Sequence, residues 1–395
     1  MKKISFIIIL STCILGPMGN DMFISSMPEM KSLFNTNHIQ WFMSVYLIGL
    51  AAPQLVVGGL IDQFGKKNIL LISLLIFSIA SICITMTNNY FILLIIRFLQ
   101  AIGASAIIPC IISIAKATFK DNKQKLVTVI SFIMLGISLI PILAPSIGAW
   151  LQYYFNWKAT FFFLFLLSCF YIILIKTKFK EKQKISTKFD MLLFLNNYAT
   201  LLKNKQFMVY SLTTACSYAI LFSFLGSATL IYSNQYHVSP LLSGNLIGIN
   251  GLSLFLTGAL APYFSKKLGI DRSVRIATYL LLLGGVSLVI FNTLFNTLFI
   301  NDYLVIVISM LITSLGIGII RPLAQAGAIH IIDEKMTGSA VSLMNFLTFG
   351  FGFTINLILG FFHNINTSDL SLANIILAVS AVLLMSAITH KKHIT

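Results

Sequence analysis

Apolar runs long enough to cross a bilayer as helices recur along this chain from one end to the other, and nothing else in it constrains the fold as strongly. A spanning helix needs roughly 20 apolar residues. The runs fall at 4–27, 39–61, 68–87, 90–115, 126–151, 158–175, 207–232, 241–264, 274–298, 303–327, 338–362 and 370–389. The chain is 57% hydrophobic and only 10% charged, a balance that no soluble core could hide. Spanning barrel strands alternate polar and apolar residues in segments of about ten, which these runs do not. The expected class is an all-α integral membrane protein of twelve transmembrane helices.

The formal net charge of +16 could suggest a nucleic-acid partner, but its distribution points elsewhere. If the chain starts inside and crosses at each run, Lys31 and Lys158 are the only lysines outside, while Arg97 and Arg321 lie within runs; the rest of the 27 basic residues fall inside. Basic residues collect in cytoplasmic loops of membrane proteins, so the charge reports orientation. Both termini are expected in the cytoplasm of a bacterial inner membrane, with anionic lipid as the basic surface's partner and no nucleic acid. Cys13, Cys83, Cys110, Cys169 and Cys216 sit in apolar runs without motif spacing and read as small core residues. Lys2-Lys3 before an apolar stretch has the form of a signal peptide, but with eleven further spans an uncleaved first helix is expected.

The longest polar stretch, 177–206, is a basic linker between an N-terminal half, 1–176, and a C-terminal half, 207–395, each of six helices. Gly58 to Lys67 follows the second span and Gly258 to Lys267 the eighth; Gly58, Leu60, Phe64, Lys66 and Lys67 have identical partners at an offset of 200 residues. Two six-helix halves in parallel repeat are the architecture that rocks about a central site. Chance likeness in an apolar alphabet is the alternative.

A charge within the hydrocarbon costs at least ~2.5 kcal/mol, so intramembrane ionisable residues are functional candidates. Of the eleven acidic residues, Glu29, Asp302 and Asp369 fall at outer loops or span ends. Asp62, Asp121, Glu181, Asp190, Asp271, Asp333 and Glu334 fall in or beside cytoplasmic loops, which leaves Asp21. Asp21 stands seven residues before Pro28 and Arg97 seven after Tyr90, which puts both roughly 10 Å below the outer surface. A carboxylate whose surroundings alternate between wet and dry can take a proton on one side and release it on the other. A static ion pair that fixes helix packing is the alternative. Arg321 lies nearer the inner end of the tenth span, where it can snorkel to headgroups or meet an anion in a cavity.

Polar residues on apolar spans are candidate substrate contacts: Asn20, Tyr46, Gln54, Gln100, Tyr218, Asn245, Asn250 and Asn345, with Asn20 and Tyr46 first because they share Asp21's depth. Each can equally be interhelical glue. In the fifth span, Gly136, Pro141, Pro145 and Gly148 suit an interface that opens and recloses. No metal cluster, Walker loop or nucleophile motif is present, so no cofactor or enzyme activity is expected and an ion gradient is the expected energy source.

Several of these segments resemble signatures of the major facilitator superfamily. Gly58-x-x-x-Asp62-Gln63-x-Gly65-Lys66-Lys67 is similar to its cytoplasmic loop motif, with Gln63 where Arg is usual. Arg97 to Gly103 resembles its buried-arginine motif, Pro141 to Gly148 its antiporter motif, and Asn156 to Phe161 its start of the sixth helix. Gly338 to Leu343 resembles the start of the eleventh helix in the Bcr/CflA drug:proton antiporter branch. Gly19-Asn20-Asp21-Met22 resembles a multidrug antiporter's first helix, whose second protonatable acid would fall at Cys13 here. The resemblance implies the major facilitator fold, a monomer, proton coupling through Asp21 tuned by Arg97, and a gate formed by Gly58, Asp62, Gly65, Lys66, Lys67, Pro141, Pro145 and Gly148. With one buried acid it fits export of a neutral or anionic small molecule, a drug or a native metabolite such as a siderophore. An importer of a nutrient, or a membrane sensor or assembly subunit that transports nothing, are the rival expectations.

Overall fold

The computed structural model describes residues 9–119, 122–179, 191–295, 303–333, 336–362 and 365–387. The expectations for Lys2, Lys3, Asp121, Glu181, Asp190, Asp302, Glu334 and the tail lysines lie outside those residues, as does the start of the first span. Among the described residues, eleven helices are long and apolar enough to cross a membrane: Trp41–Phe64, Lys66–Met86, Tyr90–Thr118, Thr128–Tyr154, Trp157–Lys178, Lys205–Asn234, Pro240–Leu268, Ile270–Asn292, Tyr303–His330, Thr337–Leu359 and Thr367–Ser386. These are the second to twelfth spans. The first is helical too, but in pieces: 3-10 turns at Thr12–Ile14 and Ile24–Ser26 alternate with α segments Leu15–Asp21 and Met27–Leu33.

Side-chain caps set where several spans begin. Asn89 accepts from the Ile92 amide at 3.1 Å, Asn156 from Lys158 at 2.9 Å, and Asn366 with Asp369 closes a capping box. The fourth span breaks at Ala106, between Tyr90–Ser105 and Ile107–Thr118. Pro109 explains the break, because a proline inside a helix displaces the carbonyl four residues back. That carbonyl belongs to Ser105, and Gln54 Nε2 donates to it at 3.2 Å. Gln54 is therefore interhelical glue here.

By packing, the chain forms two compact units: Met1–Met191 with Leu225–Leu252 and Asn356–Asn364, and Leu192–Phe224 with Ser253–Ile355 and Ile365–Thr395. In the first, the third span packs on the fourth and sixth; in the second, the ninth packs on the tenth and twelfth. The same pairing thus recurs six spans later. The turns repeat as well, in a different register from the sequence likeness. Gly65 (φ 85°) alone joins the second span to the third, and Gly269 (φ 80°) alone joins the eighth to the ninth. The turn glycines are offset by 204 residues rather than 200, so the eighth span runs about one helical turn further before it reverses.

Within the basic linker, Met191–Lys203 forms a helix. Its Leu201 is buried, Asn197 Nδ2 lies 3.5 Å from Ser339 Oγ, and Tyr198 hydrogen-bonds Ser342. The linker helix thus docks on the first turns of the eleventh span. Burial of the Tyr198 hydroxyl raises its pKa above the ordinary tyrosine value, against the opposing effect of the Ser342 contact.

Candidate functional site

A helix that breaks inside a membrane leaves backbone carbonyls that some other group must satisfy. In the first span, side chains from three different spans do so. Tyr46 donates to Gly16 O at 2.8 Å, Arg97 Nη2 to Gly19 O at 2.7 Å, and Thr229 to Ile24 O at 2.9 Å. Ser25 in turn donates to Pro145 O at 3.2 Å, in the antiporter-like run of the fifth span. Asp21 ends the α segment before the second 3-10 turn, at the centre of this arrangement.

Close backbone approach needs small residues, and the glycines here show why. A Cβ on Gly19 would stand 2.5 Å from the Tyr46 hydroxyl, and one on Gly148 1.7 Å from Met22 O. Gly148 therefore seats the fifth span directly against the residue that follows Asp21. Against the same stretch of the fifth span lies a row of glycines of the eighth span, none of them singled out from the sequence. Cβ atoms on Gly244, Gly248 and Gly251 would stand 2.8 Å from Pro145 O, 2.8 Å from Ile142 O and 2.6 Å from Pro141 O. Their spacing places them on one face of the eighth span, a signal that was present in the sequence.

Arg97 is fully buried, and aromatic rings enclose its guanidinium: Tyr46 at 4.1 Å, Phe23 at 4.4 Å, Phe42 at 4.6 Å and Phe161 at 5.5 Å to the ring centroids. Such faces attract a cation, by about 2 kcal/mol or more each when desolvated. Arg97 Nη1 donates to Gln100 Oε1 at 2.6 Å, and Gln100 Nε2 donates to Ser81 Oγ at 2.7 Å. Gln100 is therefore a brace for Arg97. The sequence reading had none of the three phenylalanines as site residues, although Phe161 closes the Asn156 to Phe161 motif.

Asp21 and Asn20 are each 5% exposed. Asn20 Nδ2 donates to Asp21 Oδ1 at 2.7 Å. Among the described residues no ion pair joins Asp21 to Arg97, so the carboxylate is held by its sequence neighbour and not by the cation. Asn20 Oδ1 and Arg97 Nε have no hydrogen-bond partner there either, which leaves two buried polar atoms open beside the carboxylate.

The remaining candidates make no hydrogen bond to Asp21 or Arg97. Asp62 is exposed, Gly58 has nothing within 4 Å of a would-be Cβ, and Lys67 donates to Phe179 O at the end of the sixth span. Lys66 is half-buried next to the Gly65 turn. Pro141 and Pro145 lie within one continuous helix, Lys123–Tyr154. In the second unit Tyr218 is buried and accepts from Arg321 Nη1 at 2.7 Å. Asn345 is half-buried, Asn250 is buried, and Asn245 is exposed on the strip of the eighth span that carries Leu242, Ile249 and Leu252.

Comparison with known proteins agrees with this architecture. A family model described as Major Facilitator Superfamily matches residues 9–356. A bicyclomycin resistance protein homolog of Haemophilus influenzae is 26% identical over 298 residues, 73% of this chain and 74% of that one. Multidrug resistance protein MdtL of a Shewanella species is 30% identical over 148 residues, 37% of each chain. Among solved structures, the nucleoside transporter NupG superposes with a TM-score of 0.76 at 15% identity, covering 98% of both chains. A D-xylose-proton symporter gives 0.74 at 13% identity over 98% of this chain and 97% of that one. With the matched model extending over most of its length, this multi-pass membrane chain belongs to the major facilitator superfamily of transporters.

Proposed function

We propose that this transporter exports a small organic compound across the bacterial inner membrane in exchange for protons, by alternating access of two six-helix halves. The observation that carries the reading is the state of Asp21: a buried carboxylate at a helix break, hydrogen-bonded to Asn20 and in no ion pair among the described residues. Protonating such a group strands no cation. Arg97 already has Gly19 O, Gln100 and four ring faces, so it can shape the field at Asp21 without depending on its charge. Asn20 and Tyr46 line the same locus, and Gly148 ties it to the fifth span. The lysine-rich ends face the cytoplasm in this reading. The relatives named for bicyclomycin and multidrug resistance favour export over uptake, and bicyclomycin is the first compound to try.

The test uses everted vesicles with an imposed pH gradient, acid inside, and bicyclomycin as probe. Wild-type protein is expected to accumulate the compound and Asp21→Asn to lose proton-driven accumulation while keeping exchange at equal pH on both sides. Gradient-driven accumulation by Asp21→Asn at the wild-type rate would sink the mechanism.

A further inference from the structure

Arg321 is a second intramembrane cation, and its surroundings differ from those of Arg97. It lies on the tenth span, Tyr303–His330, nine residues from His330 and so about 13 Å from that end. One exposed, largely apolar strip of the span carries Ile308, Leu315, Pro322 and Ala326. Arg321 is displaced from that strip by about 100° of helical turn, on the side where Ser314 and Gly318 are buried, yet it is itself accessible. The charge is therefore accessible from a face other than the span's main apolar strip.

Its side chain is already oriented. Nη1 donates to the Tyr218 hydroxyl at 2.7 Å and the guanidinium carbon stands 4.7 Å over the Tyr218 ring. Nε and Nη2 have no protein partner among the described residues, and the nearest acid along the span is Asp333, twelve residues on. Those two nitrogens form the side-on fork that pairs bidentately with a carboxylate. Beside it, Tyr218 packs on Phe222 at 5.9 Å and Phe222 on Phe349 at 6.2 Å, which gives the fork an aromatic wall. A cation kept within a span, pre-oriented, accessible and, among the described residues, without a counter-charge is arranged for an anion that arrives from outside the protein.

We propose that Arg321, held by Tyr218, binds the carboxylate of an aromatic organic anion, and that such anions are among the substrates the chain recognises. The assignment rests on the transport reading above, but the site can be tested without flux. Purified full-length protein in phosphatidylcholine nanodiscs is titrated with sodium benzoate, and with benzamide as the uncharged match, and binding is followed by calorimetry. Benzoate is expected to bind and benzamide not to. Arg321→Gln should weaken benzoate at least about tenfold, the scale of losing one charge-assisted pair, with Arg321→Lys between them because the charge stays and the fork goes. Melting curves without ligand verify that each variant is folded. Equal benzoate affinity in wild type and Arg321→Gln, or equal binding of benzamide, overturns the proposal. A lipid headgroup would satisfy the same fork; loss of benzoate binding in phosphatidylglycerol nanodiscs would make lipid the occupant and overturn the substrate assignment. Benzoate binding with no proton-driven flux would defeat the transport reading alone, and proton-driven flux with no benzoate binding would defeat this site alone.

Discussion

Gly148→Ala is the substitution whose consequence follows most directly from the coordinates. The added methyl would lie 1.7 Å from Met22 O, 2.7 Å from its carbonyl carbon and 3.1 Å from its Cα. Nonbonded carbons and oxygens settle at about 3.5 Å, so the two backbones must part by roughly 2 Å. All three atoms are backbone, so no side-chain rotation relieves the clash. Overpacking of this kind costs about 1–3 kcal/mol, and the displaced residue follows Asp21 in the chain. Gly136→Ala on the same helix is the control, because nothing stands within 4 Å of its new methyl. Alanine there gains up to ~1 kcal/mol of helix propensity. Melting of the purified proteins in detergent should place Gly136→Ala at or above wild type and Gly148→Ala below both. In vesicles, Gly148→Ala should lose proton-driven transport while Gly136→Ala keeps it. If the two variants melted and transported alike, the argument that this glycine seats the fifth span against the Asp21 segment would be wrong.

Two further expectations separate residues that the sequence groups together. Asp21→Asn with Arg97→Met is the discriminating pair: a static ion pair predicts that the double variant recovers what either single one loses, whereas the geometry predicts no recovery, read as melting temperature and flux. Within the loop motif, Gly65→Ala should cost about 1–3 kcal/mol, since φ 85° with ψ 146° is a conformation that essentially only glycine adopts, while Gly58→Ala should be neutral or stabilising; denaturation of the two purified proteins checks this.

Hydropathy and lysine placement made the fold class legible, because the bilayer leaves so few ways to satisfy a backbone. Counting residues along the first and fourth spans put Asp21 and Arg97 at one depth, and Arg97 does reach Gly19, two residues from Asp21. What counting could not reveal was the object of that reach. The run from Met22 to Met27 carries no glycine or proline, and serines such as Ser25 and Ser26 are common in spanning helices, so the 3-10 turn that opens the first span's carbonyls leaves little mark in the sequence. The aromatic enclosure was hidden for a different reason. Phe23, Phe42 and Phe161 come from three spans, and among 33 phenylalanines none stands out before the fold brings them together. The linker helix was missed because its lysine-rich flanks dominate the composition there, although Leu195, Tyr198, Leu201 and Leu202 fall at helical spacing.

The separation of the two charges bears on why one acid could serve where a related segment has two. In a buried ion pair, removing either charge strands the other at about 3–5 kcal/mol, so a carboxylate locked to an arginine resists protonation by that amount. Here the two terminal nitrogens of the arginine are held by a carbonyl and an amide and four rings enclose it, so no hydrogen bond of Arg97 is spent on Asp21. The cation can remain charged and buried through a whole cycle while the carboxylate gains and loses its proton. Neutral Asp21 would still accept from Asn20, and its new hydroxyl would have the unpaired Asn20 Oδ1 within the same residue pair as a candidate acceptor. On this argument Asp21 exchanges its proton with water, Asn20 hydrogen-bonds it in both states, and Arg97 supplies a constant field.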